Sequence, residues 1–86
     1  MSMMAIPRRN MPLPLSAVPS NTAVVVVSVL GGMGVRQRLA ELGFVPGTII
    51  KIINSVGRGP IIVEVRGSRI GLGRGLANKI LVQLLS

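Results

Sequence analysis

Histidine, cysteine, aspartate, tryptophan and tyrosine are all missing from this sequence of 86 residues, and its only carboxylate side chains are Glu41 and Glu64. Without histidine or cysteine, a Ser-His or Cys-His nucleophile site is impossible, and two glutamates far apart in sequence make a paired-carboxylate site improbable. We therefore expect no enzyme, no catalytic residues and no bound cofactor. The lack of cysteine also removes a disulfide framework and a thiolate metal site, and it is compatible with a reducing cytoplasm. Transition metals prefer histidine, thiolate and carboxylate ligands, so no metal site is expected within one chain, and a metal would have to bridge chains. Phe44 is the sole aromatic residue. That weakens single-stranded nucleic-acid binding, which relies on aromatic stacking, and leaves only shape-based or phosphate contact. Long apolar runs are absent too: Ser28, Gly31 and Gly32 interrupt the longest run well before the ~20 residues of a membrane-spanning helix. A soluble chain is expected.

Positive charge is abundant. Ten Lys and Arg against two Glu give a formal charge of +8, and eight of the ten are arginines, the better residue for bidentate contact with carboxylate or phosphate. Such a chain suits an acidic partner: nucleic acid, an anionic lipid surface or an acidic protein face. Length allows one domain, and a domain this small buries only about 60% of its unfolded surface, so a compact barrel or sandwich is expected.

Along the chain, MSMMAIPRRNMP has no regular period and reads as a flexible basic arm over residues 1–12, with a barrel domain over 13–86. Arg8 and Arg9 in the arm would favour weak electrostatic contact with an anionic membrane surface. PLSAV, residues 14–18, is a short turn that tucks Leu15 and Val18 inward, with Ser16 as its cap. TAVVVVSV, residues 22–29, is apolar on both parities, which suits a strand covered on both faces or one bent across a barrel. Between Gly34 and Gly43, the spacing of Val35, Leu39 and Leu42 predicts one helix with those residues on its buried face and Arg36, Arg38 and Glu41 outward. Gly43 suits the left-handed position after the helix, Phe44 the apolar contact behind it, and Pro46-Gly47 a type II turn leading into the strand TIIKIIN, residues 48–54.

In IIVEVR, Ile61, Val63 and Val65 alternate with outward residues, and Gly67-Ser68 predicts a type II′ hairpin that sets Arg66 opposite Arg69. Like charges across a hairpin repel unless an acidic partner or anion meets them. The same outer face carries Gly71, Gly73 and Gly75. GLGRG, residues 71–75, lacks the Walker lysine and the strand-to-helix setting of a phosphate loop, so the plainer account is a strand that bends or lets another backbone approach. A turn near 76–79 and the closing strand ILVQLL follow. The predicted fold is thus mainly β: a small SH3-like barrel of about five strands, with one short helix between the first and second.

PLS at 14–16, MGVRQRLAELGFVPGTIIKI at 33–52, VRGSRIGL at 65–72 and AxxI at 77–80 together resemble the FeoA family, ferrous iron transport protein A, over nearly the whole chain. The most specific part is the helix-LGhxPG-strand junction combined with VRGSRIGL. Ser20-Asn21 stands where many members have Gly-Glu, and 73–76 where many have a charged or acidic stretch. The resemblance implies a cytoplasmic protein, held at the inner face of the membrane by its partner FeoB, a transporter whose cytoplasmic part binds guanine nucleotide. It also implies transition-metal binding at the level of the family, for which this chain offers no ligand set. The leading reading is a noncatalytic accessory protein of ferrous iron uptake, with self-association a further option. A basic barrel gripping nucleic acid through arginine-phosphate contacts is the alternative, and a metal-sensing regulator ranks last. The expected partner contact is the late hairpin with Arg66, Arg69, Gly71, Gly73, Arg74 and Gly75; the alternative contact is the helix face with Arg36 and Arg38.

Given the missing ligand types, an anaerobic titration of the isolated chain with Fe(II) is expected to show no stoichiometric binding to the monomer at micromolar affinity. Saturable one-to-one uptake in that range overturns this reading.

Overall fold

The computed structural model describes residues 11–85. Arg8 and Arg9, with most of the arm expected over 1–12, lie outside the described residues. Six strands form one antiparallel sheet: β1 (Leu13–Pro14), β2 (Thr22–Val29), β3 (Ile49–Asn54), β4 (Ile61–Val65), β5 (Ser68–Leu72) and β6 (Ile80–Leu84). They lie in the order β1-β6-β2-β3-β4-β5. The strand beyond the expected five is the short β1, which pairs Leu13 with Val82 and Pro14 with Leu81. It sits at the sheet edge, where a proline without an N–H is tolerated. Leu15–Ala17 form a single 3-10 turn that buries Leu15 and Val18 as expected. Ser16 does not cap it but hydrogen-bonds Asn78 instead.

Two bulges curve the sheet. Pairing of β2 with β6 steps from Val26↔Val82 to Ser28↔Leu81, leaving Val27 extra. Pairing of β3 with β4 steps from Ile52↔Val63 to Asn54↔Ile62, leaving Ile53 extra. An extra residue bends and twists the strand that carries it. It also switches which parity faces inward, so Val24 and Val26 are buried before the bulge while Val29 packs on the core after it. The apolar character of β2 on both parities is what such a switch requires. The resulting core joins these valines to Leu15, Leu39, Phe44, Ile50, Ile52, Ile61, Val63, Val65, Leu72, Ile80 and Val82, with no polar side chain buried among the described residues.

Helix α1 runs from Met33 to Glu41. Gly43 follows with φ 108°. Its N–H donates to Ala40 O at 3.0 Å and the Phe44 N–H donates to Leu39 O at 2.9 Å. This bond pair is the Schellman stop, and its apolar contact lies between Leu39 and Phe44, both buried. The Thr48 N–H then donates to Val45 O at 3.1 Å, around Gly47 at φ 91°, closing the expected type II turn. Leu42 departs from expectation: it is the helix C-cap and remains 39% exposed, so Leu39 alone of the predicted stripe is fully buried.

The late hairpin forms in a different register from the predicted one. Val65 pairs with Ser68, Glu64 with Arg69, Val63 with Ile70, and Ile61 with Leu72. Its loop is Arg66-Gly67, both at positive φ (53° and 80°), as a type I′ turn demands. Arg66 therefore does not oppose Arg69. Both registers put the same residues on the same faces, because they differ by a full period of the strand, so alternation could not distinguish them. The observed register sets Glu64 between Lys51 on β3 and Arg69 on β5, whereas the predicted one opposed two arginines. Beyond Leu72 the chain forms a one-turn helix, α2 (Arg74–Ala77), where a plain turn was expected.

Gly43→Ala places a side chain at positive φ, with its Cβ only 3.1 Å from Val65 Cγ2. Left-handed strain of about 1–2 kcal/mol, added to that crowding, is expected to lower the urea midpoint clearly. An unchanged midpoint refutes the role given to Gly43.

Candidate functional site

Among the described residues, no group of three His, Cys, Asp or Glu side chains comes together in a way that could hold a metal ion. Glu41 ends α1, and Glu64 lies between two cations across the sheet. The two stand on different elements, and the sequence contains no other carboxylate side chain. The surface offers charge and apolar shape instead, in two places.

The first is the late hairpin together with α2. Its six predicted contact residues are divided among the hairpin loop, β5 and the N-terminal part of α2. Arg66 lies over the end of α1, with its Cδ 3.4 Å and its Nε 3.5 Å from where a Cβ on Gly43 would sit. A cation there complements the carbonyl end of the helix dipole. Arg69 is on the outer sheet face opposite Glu64. Gly71 lies on that face too, under Ile62 and Pro60. Gly73, however, is the N-cap of α2 and Gly75 is inside it, so the glycines do not line a single strand.

Arg74 is engaged internally. Its Nη2 donates to Ser55 O at 2.9 Å and Gly57 O at 2.6 Å, and its Nε donates to Gly59 O at 3.2 Å. These carbonyls belong to the β3–β4 connection. The same loop is anchored from its other side, where the Ser55 N–H donates to Ser20 Oγ at 2.9 Å and Ser55 Oγ donates to Val18 O at 2.9 Å. A guanidinium has donors in a fixed planar fork, and here that fork gathers carbonyls that would otherwise need water.

The second place is a groove of about 670 Å³ beside α1, within the 300–1,000 Å³ typical of ligand pockets. Met33, Arg36, Gln37 and Ala40 form one wall. These follow the i, i+3, i+4, i+7 spacing of a single helical stripe. Ser28 and Val29 at the end of β2 and Val45 and Pro46 of the type II turn form the other wall, with Phe44 also lining the groove. The helix stop creates this arrangement, because it brings Phe44 and the turn back beside the helix they follow. Met33, 84% exposed, stands at the mouth. Arg36 is the only charged residue in the lining. Arg38, the other half of the alternative pair, is absent from it, since residues two apart on a helix point to different sides.

Sequence reasoning placed Arg36 outward but missed the groove. Its walls come from three separate segments, and its one local signal is Met33, an apolar residue outside the Val35–Leu39 stripe.

The domain model described as FeoA domain matches residues 13–84. Over 70 residues the chain is 39% identical to "Putative Fe(2+) transport protein A" of Methanocaldococcus jannaschii, an alignment covering 81% of this chain and 84% of that protein. A crystal structure of an iron uptake regulatory protein, FeoA, superposes with a TM-score of 0.82 at 40% identity, covering 87% of this chain and all (100%) of that one. The zinc complex of Stenotrophomonas maltophilia FeoA, described as a prokaryotic SH3 domain protein, superposes at 0.73 with 33% identity, covering 83% and 89% of the two chains.

The two arginines of the hairpin region should behave differently on truncation. Arg74→Ala is expected to cost roughly 1.5–3 kcal/mol, as for lost hydrogen bonds from a charged donor, and to speed amide exchange across residues 55–59. Arg69→Ala should stay within about 0.5 kcal/mol of the parent, as surface changes usually do. Equal effects of the two in urea titration contradict the division.

Proposed function

Because this chain belongs to the FeoA family, we propose that it is a noncatalytic cytoplasmic accessory protein of ferrous iron uptake, which binds or regulates a FeoB-type transporter through protein-protein contacts. The observation that carries this reading is the family match over residues 13–84, which takes in nearly every described residue. The chemistry agrees with it. The chain has no histidine or cysteine to bind or transform a substrate, and no helix among the described residues is long and apolar enough to cross a membrane. Ferrous iron is then the cargo of the partner rather than a ligand of this chain.

The remaining surface suits recognition of a protein. Cations far outnumber carboxylates, and a groove with apolar walls lies beside an exposed arginine. The nucleic-acid alternative finds less support. Phe44, the one aromatic residue, is buried in the core and offers no stacking platform. The exposed cations among the described residues are spread over the molecule: Arg36 and Arg38 on α1, Lys51 and Arg69 on the sheet, Arg58 in the β3–β4 connection and Arg66 at the hairpin loop.

The direct test is co-purification of the full chain with the transporter's cytoplasmic domain, with and without guanine nucleotide. Retention in at least one nucleotide state is expected. Absence of retention in every state, with both proteins folded, refutes the reading.

A further inference from the structure

The groove beside α1 has an apolar interior, one positive charge and an exposed methionine at its mouth, and these features together specify an occupant. We propose that it receives an acidic amphipathic segment of a partner protein, apolar side chains entering between α1 and the Val45-Pro46 turn while a carboxylate meets Arg36. This rests on the accessory role proposed for the chain and names the surface and the partner chemistry that such a role leaves open.

Shape and apolarity come first. Met33 and Ala40 on the helix face Val29, Val45 and Pro46 across the gap. A volume near 670 Å³ has room for more than one large side chain, which suits the way an amphipathic helix lays spaced anchors into a groove. Met33, which lines the groove, is 84% exposed, so apolar surface extends from the groove to solvent. Methionine adapts its shape to different anchors at low cost.

Charge then selects among occupants. Arg36 has no carboxylate beside it in the lining, so a segment carrying Asp or Glu next to its apolar anchors gains a charge-assisted contact. A second copy of this chain is disfavoured on the same ground, because each copy carries +8 and only two carboxylates, and like potentials repel at close approach. Nucleic acid would place phosphates against Arg36 but leave the apolar walls uncovered.

The experiment uses amide and methyl NMR shifts of the full chain. It is titrated with the transporter's cytoplasmic domain, with a helical peptide bearing leucines at i, i+4, i+7 flanked by glutamates, with the same peptide flanked by lysines, and with a DNA duplex. The glutamate peptide is expected to shift Met33, Ala40 and Val45 saturably, more weakly at high salt, and the lysine peptide to leave them unmoved. Met33→Glu and Arg36→Glu, both at exposed positions, should each weaken binding of the peptide and of the transporter domain at least tenfold, while Arg69→Glu should not.

If the transporter domain binds the parent and both groove variants equally, the groove proposal is overturned and the accessory reading stands. If the glutamate peptide occupies the groove but the transporter domain does not bind at all, the groove proposal holds and the accessory reading fails. A lysine peptide or DNA duplex that moves the groove residues more than the glutamate peptide also overturns the proposal. So does the absence of any shift there with both the glutamate peptide and the transporter domain.

Discussion

The helix stop at Leu39–Phe44 is the constraint on which the rest of this small barrel depends. Two backbone hydrogen bonds around Gly43 turn the chain back on its helix, and the one aromatic side chain is thereby driven into the core against Leu39. Three residues later the type II turn docks on β2, where the Gly47 N–H donates to Val26 O at 2.8 Å and the Val26 N–H donates to Thr48 O at 2.9 Å. Those bonds meet β2 next to its bulge, the point where its inward parity changes. Helix end, turn and bulge are thus one unit. It closes the barrel on one side and, on the other, leaves the gap that becomes the groove. No second aromatic residue exists to seat the helix, so the alignment of Phe44 rests on the backbone geometry that delivers it.

Charge in this protein serves several distinct ends. Arg74 holds a loop together by its carbonyls, Arg66 lies over a helix terminus, and Lys51 and Arg69 flank Glu64 across the sheet. Only some of the +8 is therefore free to address a partner. Arg36 differs from these because the surface around it is apolar and concave, and a charge beside apolar walls is screened less than one in open solvent. A formal charge read from composition overstates the recognition surface and cannot locate it.

Much of the architecture was legible from sequence. Gly43, Phe44 and Pro46-Gly47 specified the helix stop, the apolar contact and the turn, because each depends on backbone conformations that few residues adopt. The strands followed from β-branched alternation, and the family resemblance rested on the same local junctions. Only tertiary structure decided the rest. Hairpin register escaped because two pairings shared one pattern of faces; the observed one turns through Arg66-Gly67 and aligns Lys51, Glu64 and Arg69 across three strands. Arg74 looked like a surface cation until the β3–β4 loop was placed around it. The groove is assembled from β2, α1 and the following turn, so no single stretch contains it. Local conformation and periodicity are written in neighbouring residues, whereas register, the engagement of a charge and the shape of a cavity arise from contacts between distant ones.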